Sequence, residues 1–159
     1  MSRAKRLRQA AILRRRITLI EKIFTPRFKA EMVRMSEQAG QDFQDGGLGR
    51  AELGLDQHRK NIEGLLVDLY EMCGEISWRY LNNLYGKEKA SMLQALAALA
   101  SDWFMTAFTD AQGISGTTKQ FLKDVTAKLV SEGVGEVVMG KKIRETMTNM
   151  APWRSRLIA

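Results

Sequence analysis

The chain has 159 residues, 45% of them apolar, and 25 Lys or Arg against 18 acids, for a net charge of +7. That length holds one domain with a true core or two small helical units, at an apolar fraction ordinary for a globular protein. A single cysteine (Cys73) and a single histidine (His58) exclude an intrachain disulfide and a Cys/His zinc site, and no apolar run reaches the length of a membrane span.

The charge is segregated. Residues 1–30 carry ten bases (Arg3, Lys5, Arg6, Arg8, Arg14, Arg15, Arg16, Lys22, Arg27, Lys29) against Glu21, a net +9, and the remainder balances to about −2. Clustered charge of this kind makes a local potential that draws a polyanion: nucleic acid, an acidic protein surface or anionic lipid. Residues 3–24 read as a basic amphipathic helix, with Leu7, Ala10, Leu13, Ile17, Ile20 and Phe24 at steps of three and four. Ile12, Leu19 and Ile23 widen that stripe. The charges within Thr18–Phe24, and the lack of a small-residue cleavage site after it, speak against a targeting peptide. Thr25-Pro26 ends or bends the helix, or starts a second one running to about Gln38 with Phe28, Met32 and Met35 on one side.

Gly40–Gly54, with Gly46-Gly47 and Gly49, reads as a flexible loop and a domain boundary. It lacks the Gly-Lys-Ser or Gly-Lys-Thr ending and the preceding strand of a phosphate loop. From Asp56 to Tyr85 the apolar residues Ile62, Leu65, Leu66, Leu69, Met72, Cys73, Ile76, Tyr80 and Leu84 form one helical stripe. Gly64 and Gly74 inside it mark close approach of a neighbouring helix, and His58 falls in a polar, solvated helix start. Lys87–Asp110 is the next helix, apolar nearly all round its centre and joined to the previous one by Tyr85-Gly86-Lys87 as an antiparallel hairpin. Trp78, Tyr80, Trp103, Phe104 and Phe108, at helical spacing, read as core rather than as a base-stacking surface. Beyond Gly113, Ile114-Ser115-Gly116-Thr117-Thr118 supplies N-caps for a helix that Gly133 ends, a second short helix covers Val134 to about Thr148, and after a stop and restart at Asn149-Met150-Ala151-Pro152 a third begins at Trp153. The uncapped end at Ala159 predicts a polypeptide that continues.

No catalytic constellation emerges. There is no Gly-x-Ser-x-Gly elbow and no His-Glu-x-x-His pair, and Asp68, Glu71 and Glu75 lack the histidines of a diiron bundle. The expectation is therefore a protein that binds, with no enzyme activity, cofactor, metal or small-molecule substrate.

The stretch Gly113–Ala159 resembles a known family. Gly-Ile-Ser-Gly-Thr-Thr, Phe121-Leu122-Lys123-Asp124-Val125, Ser131-Glu132-Gly133-Val134-Gly135-Glu136, Lys142-Ile143-Arg144-Glu145 and Trp153-Arg154-Ser155-Arg156-Leu157-Ile158-Ala159 resemble the approach to the signature of phage Mu F-like minor head proteins, the phage head morphogenesis family. Arg154, Ile158 and Ala159 fit the first half of that family's Arg-x-x-x-Ile-Ala-Arg-Thr-Glu motif, and the second half lies beyond the sequence. The resemblance implies a virion protein of the capsid interior, assembled in the host cytoplasm. It would bind the phage portal protein at the portal vertex during head assembly, contact packaged or ejecting DNA without sequence preference, and meet scaffold or capsid protein.

The sequence thus predicts an all-α, elongated multi-helix protein with a basic N-terminal helical arm (1–40), a Gly-rich loop (41–54), a long antiparallel helical hairpin (55–112) and a short-helix segment (113–159). Arg3, Lys5, Arg6, Arg8, Arg14, Arg15 and Arg16 are the candidate contacts to DNA or an acidic surface. A stand-alone, sequence-independent nucleic-acid-binding protein and a membrane-surface protein are the alternatives.

Overall fold

A computed structural model describes residues 3–85 and 89–158, without the side chains of Arg3, Lys5, Arg6, Leu81, Leu84, Tyr85, residues 89–101, Phe104 and Leu157. The fold is all-α, as the apolar periodicity requires, with three helices: α1 (Arg3–Tyr85), α2 (Lys89–Ser131) and α3 (Glu136–Ile158). The connection predicted at Gly86 and Lys87 lies outside the described residues, as do the side chains that gave the second helix its apolar centre.

Helix α1 doubles back on itself at Gly46-Gly47, the two residues whose backbone leaves the helical region. Its first limb (3–45) would span roughly 60 Å at helical rise. The reversal is tight because Gly47 takes φ 72° and ψ −164°, a conformation that a Cβ makes costly. Nothing lies within 4 Å of where that Cβ would sit, so the cost is backbone strain alone. Gly47→Ala should destabilise the fold by about 2 kcal/mol, read as a lowered urea midpoint at unchanged m-value.

The limbs run antiparallel. Arg27 pairs with Asp68 at 2.8 Å, and Glu31 meets His58 at 2.5 Å. The second limb packs antiparallel on α2, with Lys119 at 2.7 Å from Asp56 and the Tyr70 hydroxyl donating to Asp110. Helix α3 runs antiparallel to the first limb, where Gly40 and Gly140 let the backbones close in. A Cβ on Gly40 would lie 2.8 Å from the Gly140 carbonyl oxygen and 2.8 Å from Arg144 Cβ. Four helical segments thus close a bundle at the Gly46-Gly47 end. Its core holds Phe28, Met35, Leu55, Ile62, Leu122 and Ile143, all fully buried. Toward the opposite end the two limbs of α1 stay together, with Gln9, Leu13 and Arg16 meeting Ile76, Tyr80 and Asn83 around a shared hollow.

Several predicted breaks are absent. The region 41–54 is helical except for its two-residue turn, because Phe43, Ala51 and Leu55 are buried and hold both flanks helical. Pro26 does not end α1. Phe24 and Phe28 on either side of it are fully buried, and that packing outweighs one missing backbone bond whose freed carbonyl belongs to exposed Lys22. Helix α2 runs straight through Gly113–Thr118. The hydroxyls expected to cap instead bond backward, Thr117 to the Gly113 carbonyl at 3.0 Å and Thr118 to that of Ile114 at 2.6 Å. Pro152 lies inside α3, where buried Met147, Ala151 and Ser155 keep one face continuous.

The stop at Gly133 is present. Gly133 N–H donates to the Val130 carbonyl and Val134 N–H to that of Leu129, closing α2 with Gly133 at φ 69°. Of the two glycines expected to mark close approach, Gly74 lies under the Trp103 ring and Gly64 has nothing near it.

Candidate functional site

Burial of Ile20, Phe24 and Phe28 fixes the rotation of the first limb against the bundle. The remaining faces of that helix then point outward. Arg8, Arg14, Arg15 and Lys22 are exposed, and Arg16 is half-buried at the edge of the hollow formed with Ile76, Tyr80 and Asn83. Arg3, Lys5 and Arg6 continue the same helix, and their side chains lie outside the description. Among the described residues, none of Arg8, Arg14, Arg15, Arg16 and Lys22 forms an ion pair.

The bundle pairs many of its cations, although Lys142, Arg144 and Arg156 form no ion pair among the described residues. There Arg27 meets Asp68, Arg34 meets Glu31, Arg50 meets Asp42, Lys119 meets Asp56 and Lys123 meets Glu52, all within 4.0 Å. Residues 31–75 carry ten acids against four bases, while residues 76–85, opposite the basic limb, carry Arg79 and no acid. The molecule is therefore polarised along its length, with uncompensated positive charge at the end away from the Gly46-Gly47 turn.

The limb also exposes apolar surface that the periodicity assigned to its buried stripe. Leu7 is 63% exposed, Leu19 56% and Ile12 and Ile23 37% each. Two antiparallel limbs cover one side of each other only, so the buried stripe narrows to Ile20 and Phe24, with Leu13 partly covered.

The family-motif positions have a structural environment. Arg154 is half-buried against α2 and donates to the Ile114 carbonyl at 3.2 Å and to Thr117 Oγ1 at 3.1 Å. Burial pushes its guanidinium below the usual arginine range. Ile158 packs against the core, and Ala159 lies outside the described residues. Beside them Ile114, Phe121, Met150 and Trp153 line an apolar hollow of about 420 Å³ between α2 and α3.

His58 is not at a solvated helix start. It lies mid-helix in the second limb with its side chain 16% exposed, and Nδ1 meets Glu31 Oε1 at 2.5 Å. Asn61 Nδ2 donates to the same oxygen at 2.9 Å, and Arg34 lies 3.4 Å from the other. A carboxylate only accepts, so Nδ1 carries the proton. Burial pushes the Glu31 carboxyl up, but the hydrogen bonds from His58 and Asn61 and the charges of His58 and Arg34 outweigh it and hold the group below its ordinary value. Where the second limb meets α2, burial and then the Asp110 carboxylate push Tyr70 up to about 12. Cys73 is half-buried, and burial raises its thiol above the usual range.

Among the described residues, Trp78, Tyr80, Trp103 and Phe108 form no ring pair with one another. Trp103 covers Gly74, Phe108 lies 5.6 Å beneath the Arg59 guanidinium, and Phe104 falls outside the description. Among the described residues no three His, Cys, Asp or Glu side chains converge as a metal site, and no helix is long and apolar enough to cross a membrane. No family model matches the chain, and no curated protein or solved structure matches it either.

Proposed function

We propose that the protein is an adhesive component of a phage head. In this reading it docks at the portal vertex during assembly and holds DNA, without sequence preference, through the cationic limb of α1. It works by binding and transforms no substrate. The observation that carries the reading is the run of outward-facing, unpaired cations on a helix whose opposite face is locked into the bundle. Lys119, Lys123 and Arg27 meet acids within the bundle, whereas among the described residues none of Arg8, Arg14, Arg15, Arg16 and Lys22 does. Cations held apart from acids leave a field that phosphates can neutralise.

The resemblance of Gly113–Ala159 to phage Mu F-like minor head proteins supplies the setting. Arg154, from that motif, donates to Ile114 and Thr117 and so ties α3 to α2.

The test is retention on duplex DNA across a salt series. Five to seven phosphate contacts give a log–log slope of roughly −4 to −6, and the protein should also co-purify with portal rings. A flat salt response, or binding to neither partner at low ionic strength, would falsify the proposal.

A further inference from the structure

We infer that the first limb of α1 carries a second docking surface beside its cations: a seam formed by Ile12, Leu19 and Ile23 that seats an acidic amphipathic helix of a partner protein. The inference rests on the adhesive reading of the same limb and names the chemistry of its protein partner. All three side chains are exposed, at intervals of seven and four residues. On a helix those intervals place them in an arc of about 40°. Arg16 fills the intervening position, so 12, 16, 19 and 23 repeat with the four-three-four spacing of a helix–helix seam. Arg8 and Arg15 border it on one side.

The seam has depth at one point. Ile12 and Arg16 overhang the hollow of about 80 Å³ that the first limb shares with Ile76, Tyr80 and Asn83. It has room for the tip of an aliphatic side chain entering from outside, as a knob enters a hole.

The charge chooses the occupant. A helix lying along the seam passes Arg8, Arg15 and Arg16, so acidic residues flanking its own apolar row would be matched and basic ones repelled. Duplex DNA offers phosphates to the arginines and nothing to cover the aliphatic side chains. An anionic bilayer is the other surface with both features. An interfacial helix, however, needs a wide apolar face, and this limb has already buried that face as Ile20 and Phe24. What remains is divided between the two flanks, Ile12, Leu19 and Ile23 on one and Leu7 and Ile17 on the other, and makes no wide face.

The experiment uses the full chain and a fluorescein-labelled synthetic helix, with Leu in a heptad row and Glu on both flanks, held below its self-association concentration. Its twin carries Lys in place of Glu. Vesicles containing phosphatidylglycerol and a duplex oligonucleotide are measured in parallel. The Glu peptide should bind saturably and the Lys peptide should not. The triple variant Ile12→Ser, Leu19→Ser, Ile23→Ser should weaken peptide binding at least about tenfold while helix content and DNA retention stay unchanged. DNA retention is read separately, so a failure of the DNA proposal leaves this result standing, and the reverse holds too. Equal binding of the two peptides, indifference of the triple variant, or vesicle binding that the variant abolishes in place of peptide binding would each overturn the seam.

Discussion

Changing Arg14, Arg15 and Arg16 together to Glu should lower retention on duplex DNA by two to three orders of magnitude near 0.1 M salt. Each phosphate contact contributes about 0.9 log unit at that concentration through counterion release, so losing three removes about 2.7. The log–log salt slope should become shallower by about 3 in the same variant. The substitutions leave the core alone: Arg14 and Arg15 are exposed, and Arg16 sits at the rim of a hollow with no ion partner among the described residues. Circular dichroism should therefore match the parent. The readout is a gradient elution from immobilised DNA, and an unshifted elution position at low salt would refute a phosphate-binding role for this limb. The seam variant makes the complementary separation, because Ser at 12, 19 and 23 removes apolar surface and no charge.

Helix type was legible in the sequence because side chains recur at steps of three and four throughout, and the stripe from Ile62 to Leu69 lies in the core as its spacing required. Among the described residues a helix stop was legible at Gly133, where a positive φ coincides with the end of the apolar period. At Pro26, Gly113–Thr118 and Pro152 the residues that break helices locally are overruled by buried neighbours, and burial is a tertiary fact that no short window contains. The Gly40–Gly54 region misled for a related reason. Gly46 and Gly47 there make the reversal and Gly40 admits the neighbouring helix, yet all three read as flexibility in a sequence. The candidate limb was legible as charge, since ten bases among thirty residues need no fold to be noticed. Its exposed Leu19 and Ile23 were not, because a stripe read from one helix does not say how much of it a partner covers. The Glu31–His58 contact joins residues 27 positions apart across a turn read as a loop, and no local signal points to it.

That contact carries the largest expected effect on stability. His58→Ala leaves the Glu31 carboxylate, 3% exposed, with Asn61 and Arg34, the latter at 3.4 Å, as its partners among the described residues, and should cost about 3 kcal/mol at pH 6. His58→Gln, which keeps an N–H donor on the limb, should lose less than half as much. The dependence on pH has a definite sign. Glu31 titrates lower in the folded chain than in the unfolded one, so its contribution is complete above the unfolded carboxylate value and is lost as pH falls through the folded one. Removing His58 takes away the chief opposition to burial and moves the folded value upward. The gap in unfolding free energy between parent and His58→Ala should then be widest above about pH 5 and close progressively toward pH 3. Urea melts at half-unit steps across that range test it. A gap that stays constant with pH would mean that His58 supports the limb contact by packing alone, with no charge on Glu31 at stake.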